Sequence, residues 1–122
     1  MDIQFKVTHY EPAPELIDLA TRKITMLGKK FLGDMHEIAR AYVEFGKAVG
    51  SHHTGRIWRA EINLDAEGMH FRVEAVREKM EDALSKAIEE LARELRTAKK
   101  KETSMLRRGG AAMKSLLRGF RK

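Results

Sequence analysis

Two repeat lengths alternate along this chain, and the order in which they come restricts the fold more than any other feature. In IQFKVTH the apolar residues Ile3, Phe5 and Val7 fall on every second position, the pattern of a half-buried strand. The prolines of YEPAPE end it, and Pro14 suits the first turn of a helix. Leu16, Ala20, Ile24, Leu27 and Phe31 then recur at intervals of four, four, three and four, which predicts a helix from about Pro14 to Phe31 with Gly33 as its C-terminal cap. HEIARAYVEFGKA returns to alternation, with Ala39, Ala41, Val43 and Phe45 facing one way and Arg40, Tyr42 and Glu44 the other. RIWRAEINL and HFRVEAV repeat that pattern through Trp58, Ala60, Ile62 and Leu64, then Phe71, Val73 and Ala75. DAEG between them reads as a hairpin turn. A second helix is expected from about Lys79 to Lys99, its apolar face built from Met80, Ala83, Leu84, Ala87, Ile88, Leu91 and Leu95.

The order is β-α-β-β-β-α. One apolar face per element predicts an α+β domain: a four-stranded sheet with two helices packed on one face. The domain is expected to occupy residues 1–101, followed by a basic, flexible C-terminal tail over 102–122. In that tail Met113, Leu116, Leu117 and Phe120 lie among Lys114, Arg118, Arg121 and Lys122, a pattern for a short amphipathic helix formed on contact.

Charge divides the chain at the same place. From Lys99 to Lys122 nine Lys or Arg accompany one acid, Glu102, a net of +8; residues 1–98 then carry −2 of the chain's total of +6. A basic tail on a near-neutral body is an interaction-tail pattern, and any anion-binding surface on the body has to come from segregation of its charges. Cysteine is absent, so there is no disulfide, thiolate nucleophile or thiolate metal site. MDIQFKVTHY lacks the regions of a signal peptide, and no apolar run has the length to cross a bilayer. The chain is expected to be soluble and cytoplasmic, without a membrane partner.

Motifs for catalysis are lacking. No glycine-rich phosphate loop, nucleophile elbow or histidine–carboxylate motif occurs. His52 and His53 are adjacent in a loop with no carboxylate within two residues, a poor basis for a metal-dependent enzyme; His9, His36 and His70 are expected at strand ends or on a strand face. No metal, cofactor or small-molecule substrate is expected.

The helices carry the stronger signal. Lys79, Lys86, Arg93 and Lys100 are spaced by seven, nearly two turns, and form one shallow stripe that Arg96 thickens. The first helix holds Arg22 and Lys23, then Lys29 and Lys30 two turns on. With both helices on one side of a sheet, two basic ridges would run side by side at a width suited to a phosphate backbone. Glu89, Glu90 and Glu94 dilute the ridge, and their spacings to Lys86 and Arg93 allow local ion pairs. Trp58, Phe71 and Phe5 occupy core-facing strand positions rather than forming a base-stacking platform.

The segment FRVEAVREKMEDALSKAIEELAREL, Phe71 to Leu95, resembles the strand-to-helix segment of the ribosome hibernation-promoting factors, also called ribosome-associated inhibitors or sigma-54 modulation proteins. Met80, Ala87-Ile88 and Leu91-Ala92-Arg93-Glu94-Leu95 stand in the corresponding places, and TRKITMLGKKF resembles that family's Lys-rich first helix. The resemblance covers about residues 2–100. It implies a double-stranded-RNA-binding-domain-like fold that binds the small ribosomal subunit through its rRNA, occupies the path of messenger and transfer RNA, and inhibits translation in idle ribosomes under stress. Arg22, Lys23, Lys29 and Arg93 match basic family positions. Met26 stands where members often have Lys, Glu81 where an aromatic is common, and Glu90 where a base is frequent.

On this reading the rRNA contacts are Arg22, Lys23, Lys29, Lys30, Lys79, Lys86, Arg93, Arg96, Lys99, Lys100 and Lys101. The tail adds Arg107, Arg108, Lys114, Arg118, Arg121 and Lys122. Ending at 122, the chain is expected to lack the extra C-terminal dimerisation domain of long-form members and to be a monomer off the ribosome. The competing reading is a protein-interaction module, a sigma-factor modulator or similar, that seats its amphipathic tail in a partner groove. A third places the tail on anionic lipid.

Overall fold

The computed structural model describes the backbone of residues 1–48 and 57–118 and the side chains of residues 1–48 and 57–102. The elements follow in the order β1 (Asp2–Val7), α1 (Pro14–Leu32), a short 3-10 helix (Gly33–His36), β2 (Arg40–Lys47), β3 (Trp58–Ala66), β4 (Met69–Arg77) and α2 (Met80–Arg118). The four strands form one sheet in sequence order. β1 runs parallel to β2; β2, β3 and β4 make an antiparallel meander. A parallel neighbour cannot be reached by a tight turn, and α1 supplies the crossover. The fold is the α+β arrangement that the alternating periods predict.

Register explains why one face is core. Ala41 pairs with Leu64 and Leu64 with Phe71; Val43 pairs with Ile62 and Ile62 with Val73. All are buried, and the pleat then sends Arg40, Tyr42, Glu44, Arg59, Glu61, Arg72 and Glu74 to the other side. α2 packs across β3 and β4 through Leu84, Leu91 and Leu95, and α1 lies beside it with Leu16, Ala20 and Ile24 turned into the same core. Trp58, Phe5 and Tyr10 close the end of the core, with Tyr10 5.2 Å from the Trp58 ring and 6.1 Å from that of Phe45.

Pro14 sits in the first turn of α1, and Glu15 at its start and Lys29 and Lys30 at its end oppose the helix dipole. Gly33, at φ 57°, takes the chain out of the helix in a conformation that costs other residues. Two boundaries differ from the sequence reading. The segment from His36 to Ala39 is not strand: His36 ends the 3-10 helix, and β2 begins at Arg40. His36 is thereby packed against Gly28 of α1, where an added Cβ would lie 2.9 Å from its Nδ1. The second helix does not stop near Lys99 but continues to Arg118. The pair Gly109–Gly110 disfavours helix by about 1 kcal/mol each relative to Ala, too little to end one flanked by strong helix formers such as Ala111, Ala112 and Met113.

Candidate nucleic-acid interface

The cations of α2 fall on two flanks rather than one. Lys86 and Arg93, seven residues apart, lie on one line of the helix; Lys86 borders β4, where an open groove is lined by Lys86, Glu90 and Glu94 on the helix and residues 72–77 on the strand. Both are paired within the helix. Lys86 Nζ lies 3.4 Å from Glu89 and 3.3 Å from Glu90; Arg93 reaches Glu90 at 3.2 Å and Glu89 at 3.8 Å. Such exposed pairs contribute a few tenths of a kcal/mol each, so their cations exchange partners readily.

Arg96 lies about 60° further round the axis, toward α1. Its guanidinium sits 5.9 Å from the centroid of the Phe31 ring, and Lys30 Nζ sits 5.2 Å from that same ring. Phe31 therefore gathers one cation from each helix within cation–π range. Lys23, seven residues before Lys30, continues this line along α1, which places Lys23, Lys30 and Arg96 on the seam between the helices. Arg22 and Lys29 form a separate line about 100° away; Lys29 acts on His36, whose pKa is lowered first by burial, then by the nearby N-terminus and Lys29.

The predicted site residues are thus exposed or half-buried on the helical side, but they form two strips. The Lys86–Arg93 strip borders β4 at Lys86, and the Lys23–Lys30–Arg96 strip follows the α1–α2 seam. Among the described residues, Arg22, Lys23, Lys29, Lys30 and Arg96 enter no ion pair, so these cations are free to meet an anion. Lys79 is exposed just before α2, and Lys99, Lys100 and Lys101 are exposed on it. Arg107, Arg108, Lys114 and Arg118 fall on the extension of α2 beyond the described side chains, and Arg121 and Lys122 lie outside the described residues. His52 and His53 also lie outside them; among the described residues no group of His, Cys, Asp or Glu is placed to hold a metal.

The sequence reading missed a second charged constellation, on the open face of the sheet. Register puts Lys6, Glu44, Glu61 and Glu74 in one row across all four strands. Three carboxylates directly opposite one another repel. Arg59 sits among them, bonded to Glu61, 2.5 Å from Glu74 and 3.5 Å from Glu44. Arg72 Nε donates to Glu61 at 2.5 Å and Asn63 adds a donor at 3.3 Å. Glu61 is buried at 6% exposure. Burial alone would raise its pKa, but the hydrogen bonds from Arg72 and Asn63 and the charge of Arg59 together bring it down to about 2. The row is a charge-neutralised lattice that stiffens the sheet. Its only sequence signal is the register: once Glu44, Glu61 and Glu74 are aligned, a buried counter-charge is required.

The family described as sigma 54 modulation protein / S30EA ribosomal protein matches residues 3–103. No curated protein matches the chain in sequence. Among solved structures, the fold is similar to that of the N-terminal domain of Thermus thermophilus Protein Y, at 23% identity and a TM-score of 0.61, covering 78% of this chain and 96% of that one. It is likewise similar to a ribosomal subunit interface protein from Coxiella burnetii, at 15% identity and a TM-score of 0.61, covering 81% of this chain and 98% of that one.

Proposed function

The chain belongs to the sigma-54 modulation protein / S30EA ribosomal protein family, a family of ribosome-associated factors, and on that premise we propose that it binds the small ribosomal subunit, fills the path of messenger and transfer RNA, and so inhibits translation in idle ribosomes. The proteins it is similar in fold to include one described as a ribosomal subunit interface protein. The observation that carries the reading is the seam between the helices, where Lys30 and Arg96 stand exposed around Phe31 and, with Lys23, enter no ion pair among the described residues.

Occlusion requires no chemistry. Cations of the seam neutralise rRNA phosphates and position the domain; Arg22 and Lys29 extend the contact along α1, Lys86, Arg93 and Lys99–Lys101 along α2, and Lys79 at the approach to α2. Phosphate contacts carry no base sequence, so the site is selected by the shape of the channel that the two-layer domain fits. Glu89 and Glu90 hold Lys86 and Arg93 until a phosphate displaces them. The basic residues from Arg107 to Lys122 add contacts outside the domain, and the place of action is the cytoplasm.

Co-sedimentation with small subunits over a salt series tests the reading. Lys30→Glu with Arg96→Glu should weaken binding more than Lys86→Glu with Arg93→Glu, because the first pair removes unpaired cations. Each lost phosphate contact should flatten the log–log salt dependence by about 0.7 to 0.9. Binding by the Lys30→Glu, Arg96→Glu chain equal to wild type would sink the proposal.

A further inference from the structure

The outer edge of β4 has the pattern of a strand that can pair with itself. Its hairpin with β3 turns through Glu67 and Gly68, both at positive φ (44° and 85°), and such a two-residue turn closes on a hydrogen-bonded pair, Ala66 with Met69. Alternation along an antiparallel ladder then directs the backbone groups of Phe71, Val73 and Ala75 at β3. Those of Arg72, Glu74 and Val76 point outward, where the sheet ends. The 2.6 Å hydrogen bond from Arg77 Nη1 to the carbonyl of Val76 fits this assignment: a side chain satisfies an outward carbonyl that no strand among the described residues does.

Around Val73 the sequence is self-complementary. An antiparallel copy related by a two-fold axis at Val73 would set Arg72 opposite Glu74 of the copy, twice over, on the open face. On the core face it would set Phe71 opposite Ala75, large against small, with Val73 meeting its own copy. Arg72 and Glu74 keep 60% and 47% of their side-chain surface exposed despite their bonds to Glu61 and Arg59, so each has a side free for a second partner. Both outward-facing residues fall on a hydrogen-bonded pair of the new ladder, so charge pairing and backbone pairing coincide in one register. α2 lies over β3 and β4. With strands about 4.8 Å apart, the two copies of α2 would run antiparallel about 10 Å from one another, an ordinary helix-packing distance.

We propose that the β4 edge is the docking site for a second copy of this chain, forming a continuous eight-stranded sheet around Val73. Arg77, covering the carbonyl of Val76, stops the pairing from spreading and keeps it weak. The flank of α2 that carries Lys86 would be enclosed between the two helices. On the reading proposed above, a dimer could not offer Lys86 to rRNA, which makes it a storage form that dissociates to bind.

The test uses the free full-length chain, with no ribosome present, so it stands apart from any failure to bind subunits. Sedimentation equilibrium from micromolar to millimolar concentration should show monomer and dimer exchanging. Amide hydrogen exchange followed by NMR should show the N–H groups of Arg72 and Glu74 gaining about tenfold or more protection at the high end, while that of Val73 is protected throughout. Glu74→Pro deletes one outward donor without touching the β3 ladder and should abolish the dimer; Arg77→Ala should tighten it several-fold. A chain that stays monomeric at millimolar concentration overturns the proposal. So does a dimer whose Arg72 and Glu74 amides exchange as fast as in the monomer.

Discussion

Glu61 concentrates the energetics of the open sheet face. Its pKa of about 2, against 4.5 for a free glutamate, means that the folded chain holds this carboxylate ionised where the unfolded chain would protonate it. The stabilisation is complete above pH 4.5 and is lost as pH falls toward 2. Discounted for the solvent that reaches Arg72, it is roughly 2 kcal/mol. Glu61→Gln should lower stability at pH 7 by about that amount and flatten the acid limb of the urea-denaturation profile below pH 4.5. His36 works at a higher pH. Its Nδ1 is buried without a hydrogen-bond partner, and burial, the N-terminus and Lys29 all lower its pKa from 6.5. The unfolded chain therefore takes up the proton first, and stability should fall as pH drops through 6.5. In His36→Leu that slope should vanish between pH 5 and 7, as read by thermal melts; a parallel slope in the variant would remove His36 as its cause. Neither residue was legible as such in the sequence. A glutamate at an alternate position of a strand reads as solvated, and the segment after Gly33 reads as strand because Ala39 and Ala41 fit its period.

The elements themselves were readable because each has a single buried face. The alternation in Ile3–Val7, Ala41–Phe45, Ala60–Leu64 and Phe71–Ala75 and the spacing in Leu16–Phe31 survive into the structure almost unshifted, since one-sided burial leaves period as the dominant signal. The end of α2 was not readable. Two glycines are strong local punctuation, but they cost less than the flanking helix formers return. The β3–β4 turn is an element junction sensitive to a single substitution. Gly68 at φ 85° has no good replacement, and Gly68→Ala should cost about 1–2 kcal/mol in urea denaturation while leaving the position of the aromatic near-UV signals unchanged. The basic stripes show the limit of helical spacing. A heptad repeat places Lys86 and Arg93 on one line, yet only packing decides which neighbour each residue faces, and Lys86 borders β4 rather than α1.

At the scale of the molecule, cations on the helical face and an internally neutralised lattice on the sheet face give the domain two sides of different character. On the sheet face Lys6, Arg59 and Arg72 are held by its carboxylates, while Arg40 enters no ion pair among the described residues, so reversing one of the paired charges there should leave ribosome affinity and its salt dependence intact. Lys6→Glu, paired at 3.8 Å with Glu44 and 77% exposed, is the cleanest control, and co-sedimentation across the same salt series checks it. A marked loss with Lys6→Glu would move the interface to the sheet.

The position of α2 at the end of the fold also sets a clock. Ile62 and Leu64 have their full apolar cover only once Leu84, Leu91 and Leu95 arrive, and these lie roughly 20 to 30 residues later in the chain. At a synthesis rate of about 5–20 residues per second, the nascent sheet stands uncovered for roughly 1 to 6 seconds. During that interval a half-made molecule presents a bare apolar face beside the translating ribosome, which makes the supply of this protein sensitive to the chaperones waiting at the exit tunnel.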